Sequence, residues 1–393
     1  MRVGLVSPYD YATPGGVNQH VQHLARQLRA FGHEVRELAP SSQRHLAAPD
    51  YERIGGVVPI PVNDSVARIN LNLNLSNARR VNEILERERF DVIHLHEPFM
   101  PALPLSVLRA SRTANVGTFH AYARRNLGYY YGKGVLGYYL RRLEATIAVS
   151  PPARDFVRHY FPAAQPVVVP NGVDVERFRP DQPPIRHLRD DCVNFLFVGR
   201  LEKRKGLPDL IRGFERAHLR EPRTRLIIVG EGPVKRQLEA YIQQHRVPNV
   251  VLAGRVPGEV LPRYHSTADV FCAPATGGES FGIVLLEAMA SRLPVLCTEI
   301  PGYLSVVTSG GDALTVAPHS PVEIATGMVV LARDPLLRQR LGESGMAKAR
   351  QRYSWPVVTT RLLEIYQEAR ARAQGENAKE VGWRVHDTHT SVG

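Results

Sequence analysis

FLFVGRLEKRKG, Phe195–Gly206, is an apolar run that ends in a glycine and opens into a cationic loop closed by a second glycine. An apolar run this short, bounded by a glycine turn, reads as a strand buried on both faces, as in a parallel sheet. Arg200 and Lys205 then stand at the carboxyl edge of that sheet, where open α/β folds bind their ligands. A planar guanidinium fork with a compact ammonium suits a diphosphate and its stabilisation as a leaving group. Solvated surface charge after a strand is the plainer alternative for this loop taken alone. The same pattern recurs downstream in LIIVGEGP (Leu226–Pro233) and VLAGRVPGE (Val251–Glu259).

Working outward, strand-like runs alternate with amphipathic helical stretches along the whole chain, as repeated βα units require. In the amino half they are Val3–Ser7, Glu34–Ala39, Val57–Pro61, Val92–Leu95, Val116–Phe119, Thr146–Val149 and Val167–Val169. In the carboxyl half they are Asn194–Val198, Arg225–Val229, Val250–Leu252, Val270–Ala273, Val295–Cys297 and Ala313–Val316. The fold class is therefore α/β, with two doubly wound, Rossmann-like domains. With 393 residues and 44% apolar residues, the chain can build both cores. The proline-bearing stretch from Arg177 to Asp191 reads as a linker, so the domains are expected at 1–180 and 181–375. An amphipathic helix over 355–373 is counted with the second domain, and 376–393 reads as a disordered polar tail.

Cys192, Cys272 and Cys297 show no paired spacing, no run of eighteen apolar residues occurs, and MRVGLVSPYD reads as a strand rather than a leader. A cytoplasmic location is the expectation. A formal net charge of +12 favours an anionic partner: nucleic acid, a membrane surface or a phosphorylated substrate. No helix-turn-helix, zinc-finger or RNA-recognition signature accompanies the charge, and nucleic acid is not expected.

GGESFGIVLLEAM, Gly277–Met289, places glycines before an apolar helix, so N–H groups of Ser280, Phe281, Gly282, Ile283 and Val284 are available to an anion at its start. Glu279 in the loop and Glu287 within the helix can accept hydrogen bonds from vicinal hydroxyls of a sugar or a ribose. Alone, the segment also fits a plain capped helix. SPYDYATPGGVNQHV, Ser7–Val21, sets Gly15 and Gly16 before a helix over Val17–Arg29, where amides can meet a second phosphate, though an ordinary turn explains them equally. His94 and His96 alternate on one strand and share a face, a metal pair with Glu97 or His120 if not simple packing or support beside an acceptor.

These pieces in this order resemble the retaining glycosyltransferases of family 4, which have the GT-B fold, over residues 2–370. PGG, a strand ending in GR, a following KG, and ESFG with two glutamates eight apart carry the likeness. PIPVNDSVARI (Pro59–Ile69), HLHEP (His94–Pro98), TFHAY (Thr118–Tyr122) and CAPATGGESFGIVLLEAM (Cys272–Met289) narrow it to phosphatidylinositol mannosyltransferases. The resemblance implies two domains facing a cleft, with a C-terminal helix able to cross back to the amino lobe. It implies that Gly16, with Gly15, Arg200 and Lys205 hold the donor diphosphate, Glu279 the sugar hydroxyls and Glu287 the ribose. His120 would lie under the sugar near the anomeric carbon. No metal or other cofactor is implied, and retention would follow front-face attack with the leaving phosphate taking the acceptor's proton.

For a phosphoinositide or other polyol acceptor, the implied residues are Tyr9, Asn18, Asn63, Ser65, Arg68 and Arg125, with Arg68 as the phosphate partner. Asn18 stands where that branch has glutamine and Val62 where it has tyrosine, so a different polyol stays open. RVPGEV at Arg255–Val260 lacks the branch's acidic pair, leaving Glu259 as the base-reading candidate. GDP-mannose is the first expectation for the nucleotide sugar. UDP-sugars, with another lipid, a polyol phosphate or a polysaccharide precursor, are the alternative, and a non-catalytic nucleotide or nucleic-acid binder is the remote one. RRNLGYYYGKGVLGYYLRR, Arg124–Arg142, interleaves five tyrosines with five basic residues. With Arg79 and Arg80 it suits an anionic membrane surface at the inner face of the plasma membrane, unless its rings are packed inward.

Overall fold

The computed structural model describes the chain apart from residues 14, 44, 46, 47, 49, 63, 64, 70–74, 123–125 and 388–393; for 60–62, 65–68, 75 and 376–387 only the backbone is described. It forms two compact units, Met1–Val169 with Val358–Gly393, and Pro170–Val357.

The first unit contains β1 (Arg2–Val6), β2 (Glu34–Ala39), β3 (Tyr51–Arg53), β4 (Val58–Val62), β5 (Ser65–Ile69), β6 (Val92–His96), β7 (Ala114–Phe119), β8 (Ala145–Ala148) and β9 (Val167–Val168). Its helices are α1 (Gly16–Ala30), α2 (Leu75–Glu88), α3 (Leu103–Ala110), α4 (Leu127–Leu140) and α5 (Pro151–Tyr160). Seven strands pair in parallel in the order β3-β2-β1-β6-β7-β8-β9. Parallel pairing requires helical crossovers that cover both faces, so the central strands β1, β6 and β7 are buried along nearly their whole length, whereas β2 and β3 toward the edge carry Glu34, Arg36, Glu52 and Arg53. The core joins β1, β6 and β7 through Val6, Leu95 and Phe119 to Ile84 and Val107 on the helices. Ser150 accepts from the Ala153 N–H and starts α5 just before Pro151, a residue whose missing N–H costs nothing at a helix start.

The second unit contains β10 (Val193–Val198), β11 (Thr224–Val229), β12 (Val250–Gly254), β13 (Val270–Ala273), β14 (Val295–Thr298) and β15 (Ala313–Val316). With them run α6 (Leu207–His218), α7 (Lys235–His245), α8 (Leu261–Thr267), α9 (Ile283–Ala290), α10 (Pro301–Leu304), α11 (Pro321–Arg333) and α12 (Pro335–Tyr353). The sheet order is β12-β11-β10-β13-β14-β15, so strand order reverses between β10 and β13. In the first unit it reverses between β1 and β6. These reversals open the crevices in which doubly wound sheets take ligands.

Three expectations need correction, while the boundary expected near residue 180 stands close to the division of the chain by contacts at Val169–Pro170. The stretch expected as a linker is part of the second unit: Phe178, Ile185 and Leu188 are buried, the Thr267 hydroxyl accepts the Ile185 N–H at 2.7 Å, and Arg263 Nε donates to the Pro183 carbonyl at 3.1 Å. Prolines lack a donor but keep their carbonyls, and α8 uses them. Val57–Pro61 joins neither large sheet; β4 pairs antiparallel with β5 in a separate hairpin. Helix α13 (Trp355–Asp387) runs well past Ala373 into the stretch read as a tail, and from Val358 onward it belongs to the first unit. Its buried face there is Leu362, Ile365, Tyr366 and Ala369, a helical spacing that covers apolar surface.

Candidate functional site

In the second unit, the loops after β10 and β13 flank the reversal point and are stitched together, Thr276 N–H donating to the Arg204 carbonyl at 2.8 Å. Gly206 permits this approach: its φ is +70°, and a Cβ there would sit 1.8 Å from the Pro274 carbonyl oxygen. Lys205 Nζ lies 2.8 Å from Glu279 Oε1, and the Arg204 guanidinium bonds the same oxygen. Arg204 Nε also donates to Glu202 Oε2 at 2.9 Å, while Arg200 Nε is 3.1 Å from Glu202 Oε1. Glu202 is fully buried and thus holds two guanidinium groups at the sheet edge. The sequence singled out Arg200, Lys205 and Glu279, and the structure brings Lys205 and Glu279 into contact. It missed Arg204 and Glu202, although a glutamate two residues from each arginine was the available signal.

Helix α9 begins at Ile283, so the amides of Ser280, Phe281 and Gly282 precede it and those of Ile283 and Val284 open it. Gly282 has φ +102°, and a Cβ on it would meet the Tyr303 ring at 2.8 Å; a side chain is excluded twice over. Glu287, half-buried in the second turn, has its carboxyl pushed up to about 7 by burial, against the pull of Arg177. No hydrogen bond or ion pair engages that carboxyl among the described residues. Glu259 is exposed in the loop whose Gly258 carbonyl accepts from Arg177 at 2.7 Å.

In the first unit, α1 starts at Gly16 with extended Gly15 before it. Asp10 organises the loop after β1, accepting from Thr13 Oγ1 at 2.7 Å and from the Ser42 and Ala12 amides at 2.9 and 3.2 Å. Burial opposes its ionisation, but these hydrogen bonds win and hold it below the usual carboxylate range. Asn18, expected among the acceptor residues, braces this loop: its amide donates to the Asp10 and Thr13 carbonyls at 2.7 and 3.0 Å and accepts from Ser7 at 3.0 Å. Tyr9 bridges to Ile69 and so lies against the hairpin that carries Ser65 and Arg68. Asn63 and Arg125 lie outside the described residues.

His120 is buried after β7, its Nε2 2.9 Å from His96 Nδ1. Glu97 Oε1 accepts the His120 and Ala121 amides, both at 2.7 Å, while burial pushes that carboxyl up to about 7. Burial holds both His96 and His120 well below the ordinary imidazole range, so both rings are neutral. His94 points elsewhere: Nδ1 meets the Tyr366 hydroxyl at 2.7 Å and Nε2 the Thr118 hydroxyl at 2.6 Å, a structural tie to α13. His20, from α1, was not singled out by the sequence; its ring stands 5.0 Å from that of His120.

Helix α4 answers the packing question in both senses. Tyr129 and Leu136 are buried in the core, whereas Leu127, Tyr130, Tyr131, Val135 and Tyr138 form an exposed stripe, Tyr131 at 81%. Lys133 lies over the Tyr130 ring and Arg141 over that of Tyr138, at 5.4 and 6.0 Å. Arg80 is paired to Glu52 at 2.9 Å, and Arg79 is exposed.

Two Rossmann-like units, one with a cationic clamp on a carboxylate at its reversal point and the other with a buried imidazole at its own, define a glycosyltransferase of GT-B architecture. The family models agree, Glycosyltransferase Family 4 matching residues 14–177 and Glycosyl transferases group 1 matching 179–348, and the chain belongs to this family. It is 36% identical over 374 residues to the phosphatidyl-myo-inositol mannosyltransferase of Mycolicibacterium smegmatis, covering 93% of this chain and 94% of the relative. The protein of the same name from Propionibacterium freudenreichii is 31% identical, covering 93% and 94%. In fold it is similar to the solved structure of Anabaena HepE in complex with UDP and glucose, at a TM-score of 0.74, 17% identity and coverage of 93% and 99%. A solved glycosyltransferase from Rickettsia africae gives 0.73, 18%, 94% and 98%. No helix among the described residues is long and apolar enough to cross a membrane.

Proposed function

We propose that the chain moves mannose from GDP-mannose, with retention, to a phosphatidylinositol-type lipid at the inner membrane face. The observation that carries the reaction is the Lys205–Arg204–Glu279 cluster at the β10/β13 reversal, reinforced by the name shared by the curated relatives. Lys205 and Arg200 neutralise the diphosphate, helped by the amides at the start of α9 and by those of Gly15 and Gly16. Glu279 takes the sugar hydroxyls and Glu287 the ribose diol. Neutral His120 lies beneath the sugar, orients a hydroxyl and tolerates the positive charge that develops at the anomeric carbon. The departing phosphate accepts the acceptor's proton, and transfer uses no metal.

Tyr9, Ser65 and Arg68 are assigned to the polyol phosphate, with Asn63 and Arg125 as further candidates. The exposed α4 stripe with Lys133 and Arg141 supports reversible docking on anionic lipid, since amphipathic rings and nearby cations suit the headgroup layer. Exposed Glu259 in a loop without an acidic pair favours keeping a second reading, a UDP-sugar donor. Thermal shifts with GDP, UDP and their sugars separate the two: stabilisation by GDP-mannose alone supports the first, and by UDP-sugars alone the second.

A further inference from the structure

We infer that His20, His96 and His120 form a three-imidazole site for a divalent transition ion of the zinc class. They come from three elements, α1, the end of β6 and the loop after β7. Their ring centroids are 5.2 Å (His20–His96), 5.0 Å (His20–His120) and 5.2 Å (His96–His120) apart, a nearly equilateral triangle. One ring nitrogen from each lies within 4.8 Å of the other two. Three imidazoles facing one point are what a tetrahedral zinc ion takes from a protein while keeping a fourth position for water or another ligand.

All three histidines are buried, so an ion held between their rings is shielded from bulk water. The 2.9 Å separation of His96 Nδ1 and His120 Nε2 is close to the spacing of about 3.3 Å between two nitrogens on one tetrahedral zinc, so little opening is needed. An all-imidazole donor set selects zinc, cobalt, nickel or copper over magnesium and calcium. Where His120 lies beneath the transferred sugar, as the proposed function has it, the ion withdraws that ring and stops transfer; this consequence rests on that reading, whereas the site does not.

The test is a cobalt and zinc titration of the full chain, stripped with chelator and freed of any affinity tag. The expected result is a visible absorption band of tetrahedral cobalt, displaced by zinc, with one ion per chain in equilibrium dialysis and a raised melting temperature. H20N and H96Q should lose the band and the zinc-induced shift. No tetrahedral band in the wild-type protein, or a band that survives both substitutions, overturns the site. If the variants fail to fold, the wild-type spectrum alone decides. In the transfer assay, zinc should inhibit the wild-type enzyme, chelator should restore it, and H20N should resist. A cobalt band without inhibition leaves the site standing and sinks the placement of His120 under the sugar.

Discussion

Replacing Glu287 by glutamine should flatten the pH dependence of donor binding. A carboxyl held near 7 is mostly protonated in mildly acidic solution, and only its ionised form offers two acceptors to a ribose diol. Each pH unit below about 7 then costs about 1.4 kcal/mol of affinity, so wild-type binding falls about 100-fold between about pH 8 and about pH 5. GDP-mannose is itself silent in that window, because both its phosphates are esterified. Glu97 titrates near the same value, so the difference between wild type and E287Q, not the wild-type slope, isolates Glu287. Calorimetric titration across that range measures it. The sign for stability is opposite: the unfolded chain releases this proton first, so the raised folded-state value costs stability as pH climbs from about 4.5 to about 7. E287Q should therefore bind more weakly at high pH yet lose part of that downward stability slope. An affinity independent of pH in the wild-type protein, or the same slope in E287Q, would refute the assignment to the ribose.

K205A should weaken both GDP-mannose binding and transfer by about 10- to 100-fold, the worth of one charge-assisted hydrogen bond of about 1.5–3 kcal/mol. E279Q should bind the nucleotide normally and lose turnover, and unchanged diphosphate affinity in K205A would count against the assigned grip. G282A should lower the melting temperature, as the strained φ and the Tyr303 contact cost about 1–3 kcal/mol; an unaltered melting curve is the contrary result. Y131S with V135S should leave stability unchanged but reduce co-sedimentation with anionic vesicles, in a salt-dependent way. Undiminished pelleting would move the docking surface elsewhere.

Much of the sheets was legible because parallel strands buried on both faces are short apolar runs, as at Val270–Ala273 and Ala313–Val316; these and the partly charged Glu34–Ala39 were located with their observed ends. Val58–Val62 was equally apolar, but nothing local distinguishes a hairpin arm from a sheet strand when partner choice is set by tertiary structure. The stretch Arg177–Asp191 was misread as a linker because prolines mark irregular backbone, which can be packed as well as free. Lys205 and Glu279 were legible from glycine-bounded loops after strands. Glu202 and Arg204 were hidden in a run of charges that resembles solvated surface. His20 was harder still, since on a regular amphipathic helix a buried histidine has the same periodicity as any core position. Its meeting with His96 and His120 depends on how α1 and β6 sit in one unit.

The most direct measurement is product analysis: the purified protein is incubated with a panel of labelled nucleotide sugars and a membrane lipid extract, and the labelled lipid is isolated and its anomeric linkage determined. The expected product is an α-mannosyl phosphatidylinositol-type lipid formed from GDP-mannose in the presence of chelator. Label transferred only from a UDP-sugar, or a product of inverted configuration, would contradict the account.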